Sequence, residues 1–511
     1  MKTVLYKNVA DDVKERGYMC ISHVWGDRQM YTANILDILG GVTWLIPLSD
    51  PDKFGRMIGA VKYLGGKYMW LDVVCMPQDR QHEIDEEVPF MGDYYAGASM
   101  TLALSDARYE MSQGFMKWLV MMDDVAKRGA FTEKETNWIY SHDDVDLLDV
   151  SQEIWFTRLW TIQEAALSKE LVLVDNRGNL IPLYNMLEKV LYMTNVNRFY
   201  IYHVFKKSWK HLLALCDVMR VHVEGNFSIV NAWNERDCYR PQDRFYGMLG
   251  LLGYKDFSVD YDISMDDLNE KIVRHASSKG DITWLSIGGN SNKGFIQPIH
   301  KTYGRIGNNW TEDEPGTCGI VFKNDVLSMN VSAFGAVIHC KKFADYSNNR
   351  EDFVAWAVCA FRDWGCSEDH IIRVVMGFVD GSDDIYGPAK LYIDGLVGDA
   401  DHDALSSELV RLFGDKAQKR LIEITGNIAE TDGRHSEQTI VVARSSETGE
   451  NIPLIIYGNA NIEDEIKLMR VHDELGRSLG IVCKSGKREG IFLYERVDVD
   501  KYIYGPYEFT L

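Results

Sequence analysis

Four short apolar segments, set apart by longer stretches with helical signals, constrain the fold of this chain most. They are Tyr18–Trp25, Tyr68–Cys75, Met100–Leu104 and Leu171–Val174. Asp50 and Pro51 provide an N-cap and a first-turn proline for a helix that runs to about Leu64. Further helices are predicted over residues 86–98 and 152–168. Buried strands that alternate with helices in this way predict a parallel sheet with helices on both faces.

The turns after the first two strands are where such a sheet would bind a ligand. In parallel sheets, ligands bind beyond the carboxyl ends of the strands, at the point where the strand order reverses. We therefore expect Ser22–Asp27 and Asp72–Asp79 to lie at one edge of the sheet. Backbone amides at the Gly26 turn can hold a phosphate there. Ser22 and His23 are neighbours in a strand and point to opposite faces, so they cannot form a direct nucleophile–base pair.

A glutamate lies one helical turn after a tryptophan in the predicted helix over residues 152–168. An apolar stripe at helical spacing forms the core face of this helix, through Trp155, Leu159, Ile162 and Ala166. Glu164 lies nearly opposite that stripe, on the side of Trp160. The helix geometry therefore predicts that Glu164 faces solvent or a cleft made by neighbouring loops, and a solvated glutamate is the simpler interpretation.

The chain is long enough for more than one domain. We expect an α/β domain over residues 1–178, with a polar insertion at about 105–150 that contains one amphipathic segment at 115–128. Residues 179–290 are predicted to be mainly helical and to pack on that domain, and residues 291–511 to form an α+β region of unknown role. Helices are predicted there at about 351–363 and 403–420, and strands at Thr439–Ala443, Pro453–Tyr457, Ile466–Val471, Leu479–Cys483 and Gly490–Tyr494.

Several ordered motifs make the first half of the chain recognisable. They are Ile21–Asp27 (ISHVWGD), Trp70–Asp79 (WLDVVCMPQD), Met91–Ala98 (MGDYYAGA) and Arg158–Glu164 (RLWTIQE). In this order they resemble the fungal heterokaryon-incompatibility (HET) domain. The downstream block Cys238–Leu252 is similar to an element typical of these proteins. The resemblance covers about 235 residues.

The resemblance implies a fold and an activity. HET domains resemble the TIR fold, which has a flavodoxin-like parallel sheet. Many TIR domains cleave NAD at the nicotinamide–ribose bond, with a catalytic glutamate four residues after a tryptophan on a helix that follows the third strand. Trp160 and Glu164 have that spacing. Arg28 is the candidate for the basic residue often found in the first-strand loop of TIR domains. The insertion at about 105–150 departs from a minimal TIR domain.

The implied chemistry assigns a role to each candidate residue. Loss of nicotinamide leaves positive charge on the ribose, which the carboxylate of Glu164 can stabilise in a water-poor cleft. Trp25 or Trp160 can stack on nicotinamide or adenine, while Asp72 and Gln78 can bind ribose or orient the loops. The structural alternatives are that both tryptophans are packing residues and that Asp72 is a satisfied carboxylate that links strands.

Composition excludes several other classes of protein. The net charge of −21 repels phosphate backbones, so nucleic acid is not expected as a partner. The nine cysteines contain no CxxC pair, which indicates a reducing compartment, and their spacing suits no common zinc site. No signal-peptide core and no run of about 20 apolar residues is present, so a cytoplasmic location without membrane insertion is the expectation.

Three functions remain open from the sequence. The first is a HET/TIR-like protein in self/non-self recognition or regulated cell death, with NAD as its substrate. The second uses the same fold as a non-catalytic signalling module that binds a protein partner or a second copy of itself. The third is an unrelated nucleotide-binding α/β enzyme, which the absence of a GxGxxG or P-loop motif disfavours.

Overall fold

The chain forms two compact units, Met1–Ile263 and Ser264–Leu511. The computed structural model describes residues 2–4, 6–25, 29–109, 113–141, 150, 153–197, 204–205, 208, 211–216, 236–288, 304–305, 311–312, 318–323, 326–343, 350–376, 383–398, 402–414, 417, 438–472, 478–485, 487–494 and 504–510. Each unit has buried apolar clusters of its own and is described separately.

A five-stranded sheet organises the first unit. The strands of this unit are β1 (Met19–His23), β2 (Gln29–Tyr31), β3 (Ile46–Leu48), β4 (Met69–Trp70), β5 (Met100–Leu104), β6 (Leu171–Val174) and β7 (Leu180–Ile181). The main sheet has the order β4-β1-β5-β6-β7, and β2 pairs with β3 separately. All strand pairs of the main sheet are parallel except β6 with β7. The predicted parallel sheet is therefore confirmed, and its strand order reverses between β1 and β5.

Helices cover both faces of this sheet, as predicted. The described α-helices of this unit are α1 (Ala10–Arg16), α2 (Pro51–Tyr63), α3 (Asp72–Cys75), α4 (Gln81–Glu87), α5 (Met91–Gly97), α6 (Gln113–Arg128), α7 (Glu133–Tyr140), α8 (Ile154–Thr157), α9 (Trp160–Ala166), α10 (Leu183–Asn197), α11 (Asp243–Tyr246) and α12 (Leu249–Leu252). Ile21 and Leu102 pack on one face with α2. Ala103 and Leu173 pack on the other with α6 and α10.

The second predicted strand is shorter than expected. The apolar run Tyr68–Cys75 forms a strand only at β4, and the chain then turns into α3. The Asp72 carboxylate accepts the backbone N–H of Val73 at 2.7 Å, which satisfies one of the amides that the first turn of α3 leaves open. The next helix begins earlier than predicted, at α4, and the 3-10 turn Val88–Phe90 separates it from α5.

The predicted helix over residues 152–168 is wrong in one respect, because it is two short helices. Arg158 lies between α8 and α9 in an extended conformation, with φ −85° and ψ 138°. It forms a parallel β-bridge with Asp237, whose carbonyl accepts the N–H of Leu159 at 3.0 Å. A continuous helical wheel therefore does not describe this segment.

The polar segment at about 105–150 contains more regular structure than predicted. The predicted amphipathic segment is α6, and Trp118 on it is fully buried. The second helix, α7, begins at a capping box in which Thr132 and Glu135 satisfy each other's backbone N–H groups. Ile139 on α7 is also buried in the core. Part of the predicted insertion is thus built into the first unit's core.

A large antiparallel sheet organises the second unit. Its strands are β8 (Ile287–Gly288), β9 (Gly304–Arg305), β10 (Thr311–Glu312), β11 (Val321–Lys323), β12 (Val326–Lys342), β13 (Gln438–Ser445), β14 (Asn451–Gly458), β15 (Glu465–His472), β16 (Ser478–Lys484), β17 (Lys487–Tyr494) and β18 (Tyr504–Thr510). The strand β12 pairs with β11, β13, β15 and β18, while β8 pairs with β9 separately. All five predicted strands beyond residue 437 are confirmed.

Helices pack against this second sheet. They are α13 (Met265–Ser278), α14 (Arg350–Asp363), α15 (Glu368–Met376), α16 (Asp383–Val397) and α17 (His402–Phe413), with a 3-10 turn at Thr283–Ser286. The helices α14 to α17 share a buried cluster with Ile440 and Val442 of β13. Val441 and Ala443 point to a separate cluster made by the other strands. The two predicted helices correspond to α14 and α17, whereas α15 and α16 were not foreseen.

Candidate functional site

Ser22 and Glu164 meet inside the first unit. Ser22 lies near the carboxyl end of the inner strand β1, and its hydroxyl donates a hydrogen bond to the Glu164 carboxylate. The indole N–H of Trp155 donates to Ser22 Oγ at 2.6 Å. The Tyr95 hydroxyl also hydrogen-bonds to Glu164. Two hydroxyl groups and an indole N–H therefore organise the surroundings of one carboxyl group.

Glu164 is buried, which contradicts the simpler interpretation that it is a solvated glutamate. Only 6% of the residue is exposed, and the residues from Thr161 to Ala166 are all buried. The prediction failed because it placed α8 and α9 on one continuous helix, whereas the break at Arg158 reorients α9. The strand β1 and the helices α5 and α12 pack against α9, and Ser22 of β1 contacts Glu164 directly.

Burial changes the acidity of this carboxyl group. The pKa of Glu164 is raised to about 8, mainly by its removal from water. The hydrogen bonds from Ser22 and Tyr95 oppose this rise, and the nearby Asp72 charge adds to it. Near neutral pH the group is therefore mainly protonated, with about a tenth ionised at pH 7. A carboxyl group in this state can donate a hydrogen bond, and it can also become an anion close to neutral pH.

Asp72 joins the ends of β1 and β4, at the predicted edge of the sheet. Its carboxylate accepts the indole N–H of Trp25 at 3.1 Å and lies 3.2 Å from His23 Nε2. His23 thus faces Asp72 while Ser22 faces Glu164, so the two neighbours point to opposite faces as predicted. The carboxylate has the geometry of a link between strands, and Trp25 is half-buried beside it.

The other predicted site residues are more scattered. Trp160 is half-buried and its indole hydrogen-bonds to Asp243, which also accepts from the Tyr261 hydroxyl at 2.8 Å. Gln78 donates to the carbonyl of Met76 at 3.0 Å, within its own loop. Gly26, Asp27 and Arg28 lie outside the described residues.

The motifs that contribute residues around Glu164 lie within a match to one known family model. Residues 18–164 match the family model described as heterokaryon incompatibility protein (HET). This chain contains a HET domain. The match begins one residue before β1 and ends at Glu164. No curated protein and no solved structure was found to match the chain.

A shallow depression lies at the carboxyl edge of the HET-domain sheet. It has a volume of about 350 Å³ and is lined by Ser49, Asp50, Asp52, Arg56, Asp106 and Asn176. Asp106 and Asn176 each follow the end of a parallel strand, β5 and β6. The buried Lys53 ammonium donates to the carbonyl of Val24 at 2.9 Å and contacts Asp106 at 3.0 Å. This depression is on the edge predicted to bind ligands, but Glu164 does not line it.

Sequence reasoning missed four residues that surround Glu164 or this edge. They are Lys53, Tyr95, Trp155 as a hydrogen-bond donor, and Arg236. Of these four residues, Tyr95 could have been found from the sequence, because it lies in the motif Met91–Ala98 that carries the family resemblance. Arg236 lies far from α9 in the sequence, and nothing in its local pattern indicates a contact with that helix.

Two structural findings bear on other classes of function. Within the described ranges, no helix is both long and apolar enough to cross a membrane. In the same part of the chain, no three His, Cys, Asp or Glu side chains are grouped closely enough to hold a metal ion.

Proposed function

We propose that this HET-domain protein acts in self/non-self recognition or regulated cell death by cleaving NAD at the nicotinamide–ribose bond, with Glu164 as the catalytic carboxylate. The HET match supports a role related to heterokaryon incompatibility. The parallel strands follow the chain order 2-1-3-4, from β4 to β6, which is the order of flavodoxin-like sheets. That order supports the further proposal that the domain is TIR-like.

One observation carries the catalytic proposal: the Glu164 carboxyl group is hydrogen-bonded to Ser22 on the inner strand β1 and has a strongly raised pKa. Groups with such perturbed acidity, held by specific partners, are concentrated at functional sites. Glu164 also stands four residues after Trp160, the spacing that the TIR resemblance requires.

The proposed reaction uses the anionic form of Glu164. Departure of nicotinamide leaves an oxocarbenium-like ribose, which a carboxylate in a water-poor site stabilises through its charge. In this proposal substrate reaches Glu164 only when the elements that cover it, such as α5 with Tyr95, move aside. In this proposal Trp25 or Trp160 stacks on a base, Asp72 and Gln78 contact ribose, and the Gly26–Arg28 turn holds phosphate.

A second candidate follows from the burial of Glu164. A carboxyl group that is 6% exposed and satisfied by Ser22 and Tyr95 also suits a structural role. The HET domain would then act as a non-catalytic signalling module that binds a protein partner or a second copy of itself. The HET match favours these two candidates over an unrelated nucleotide-binding enzyme.

We also propose a cytoplasmic location. The nine cysteines, all in the described part of the chain, are free thiols. Free thiols are typical of a reducing compartment.

Nicotinamide release tests the catalytic proposal. Purified full-length protein is incubated with NAD, alone and under crowding that favours assembly, beside Glu164→Gln and the control Glu170→Gln. Glu170 is an exposed glutamate six residues further along. We expect Glu164→Gln to lower the rate by at least about 100-fold, while Glu170→Gln retains the wild-type rate. If the wild type releases no nicotinamide in either state, or if Glu164→Gln equals wild type, the non-catalytic module is the better account.

A further inference from the structure

Arg236 places a buried guanidinium at the start of the helix that carries Glu164. The residue is only 2% exposed. Its Nη1 donates to the carbonyl of Arg158 at 2.9 Å and to Thr161 Oγ1 at 2.8 Å. Its Nε and Nη2 atoms are buried and have no hydrogen-bond partner among the described residues. The described groups around this guanidinium therefore use only one of its three nitrogen atoms.

The segment that carries Arg236 closes the break between α8 and α9. The N–H of Asp237 donates to the carbonyl of Thr157 at 2.6 Å, and the N–H of Leu159 donates to the carbonyl of Asp237 at 3.0 Å. These bonds satisfy backbone groups that the end of α8 leaves open. Thr161 and Glu164 are three residues apart on α9, so they are neighbours on its surface. The contact with Thr161 brings the Arg236 charge close to Glu164.

The buried guanidinium has more donors than its hydrogen bonds to described groups use, which points to a role for its positive charge. A neutral amide could cap the Arg158 carbonyl equally well, whereas a buried cation without full compensation is costly. Burial lowers the pKa of Arg236 to about 9, and the Glu164 charge acts against that change. A buried anion that forms beside it would offset the cost of both charges.

We propose that Arg236 is a positioning residue that fixes the start of α9 and supplies the buried positive charge opposite the ionised form of Glu164. This inference rests on the proposed function insofar as ionised Glu164 is the catalytic form. The charge acts when the Glu164 proton is lost, and it makes that loss easier at neutral pH.

Several other groups also shift the pKa of Glu164, so a test must separate their effects from that of Arg236. Asp72 on α3 opposes ionisation of Glu164, Arg158 favours it, and Ser22 and Tyr95 donate to it. Cys20 on β1 and Tyr95 on α5 have their own pKa values raised by burial first and by the Glu164 charge next. Arg158 is half-buried, so solvent screens its charge more than that of Arg236.

Titration of Glu164 in charge variants tests the proposal. The full-length wild type, Arg236→Gln, Arg236→Lys and Arg158→Gln are compared in two ways. One is the pH dependence of nicotinamide release. The other is the infrared absorption of the protonated carboxyl group as a function of pH, identified by its loss in Glu164→Gln. Arg158→Gln is the matched control, because it removes a cation from the same region but leaves the Arg158 carbonyl that binds Arg236.

We expect the titration midpoint of Glu164 to change when the positive charge at position 236 is removed and to stay nearly constant when that charge is kept. In Arg236→Gln the Glu164 midpoint should rise by about one pH unit, which lowers the ionised fraction at pH 7 about tenfold. Arg236→Lys, which keeps the charge but not the fork of donors, should stay within a few tenths of a unit of wild type. Arg158→Gln should shift the midpoint less than Arg236→Gln.

Other outcomes would overturn the proposal. An unchanged midpoint in Arg236→Gln would leave Arg236 with a purely structural role, and so would a larger shift in Arg158→Gln. If Arg236→Gln does not fold, the neutral variant Arg236→Met, which keeps much of the apolar stem, decides: a rise of about one unit supports the proposal, and an unchanged midpoint rejects it. The infrared titration needs no activity, so a midpoint shift without nicotinamide release would reject NAD cleavage and keep the role of Arg236.

Discussion

A buried carboxyl group is stable in its neutral form and becomes costly when it ionises. Glu164 is such a group, since burial is the main cause of its raised pKa. Its hydrogen bonds from Ser22 and Tyr95 recover only part of the lost hydration of the anion. The first unit therefore holds a residue whose charge state depends on pH near neutrality.

The stability of the first unit should fall as pH rises. The pKa of Glu164 is about 8 in the folded chain and near 4.5 in an unfolded one, so between these values the folded state binds more protons. Stability from this residue is complete below about pH 4.5 and is lost as pH rises to about 8, by on the order of 4 kcal/mol. Denaturant unfolding of wild type and Glu164→Gln at pH 5, 6.5 and 8 measures the effect. Curves whose difference does not change with pH would contradict it.

The opposite directions of the Ser22 and His23 side chains could be predicted from the sequence, but the surroundings of Glu164 could not. The spacing of Trp160 and Glu164, and the opposite directions of Ser22 and His23, follow from local geometry. The burial of Glu164 does not, because it depends on the bridge between Arg158 and Asp237, which are far apart in the sequence. The link from Trp160 to Asp243 is equally long-range.

At the scale of elements, α7 shows how a polar sequence becomes part of a core. The Thr132 hydroxyl accepts the N–H of Glu135, and the Glu135 carboxylate accepts the N–H of Thr132 at 2.8 Å. These caps fix the start of a short helix whose Ile139 is fully buried. Local hydrogen bonds thereby hold one apolar side chain in place within a polar segment.

Loss of this cap should destabilise α7 measurably. Thr132→Ala removes the hydroxyl that satisfies Glu135 N–H and should cost about 1 kcal/mol. Thr132→Ser keeps the hydroxyl and serves as the control. Hydrogen exchange at the amides of residues 133–140 should accelerate about fivefold in the alanine variant, with little change in the serine variant. Equal exchange in all three proteins would show that tertiary packing alone fixes the helix.

Elements that carry their own signal were predicted best. The N-cap Asp50 and Pro51 gave the start of α2, and alternation gave the five C-terminal strands. The errors fall where residues make contacts far along the sequence. Asp72 in the second predicted strand contacts His23 and Trp25, and Arg158 in the split helix bridges to Asp237. Local periodicity contains no information about such partners.

At the scale of the whole molecule, charge limits how copies of the chain approach one another. The net charge is −21 at pH 7, so like copies repel over distances of about 10 Å in 0.1 M salt. Any signalling role through self-association must overcome this repulsion. Screening by salt would reduce this repulsion, and local apolar contacts would offset it.

Self-association of the full chain should therefore strengthen as salt is added. At pH 7 we expect the weight-average mass from sedimentation to rise between about 0.02 and 0.3 M salt, because the screening length falls as ionic strength rises. Near pH 5.1, where the net charge crosses zero, the same change of salt should have little effect, which provides the control. Association that weakens with added salt at pH 7 would instead indicate an interface built from opposite charges, in which local complementarity outweighs the net repulsion.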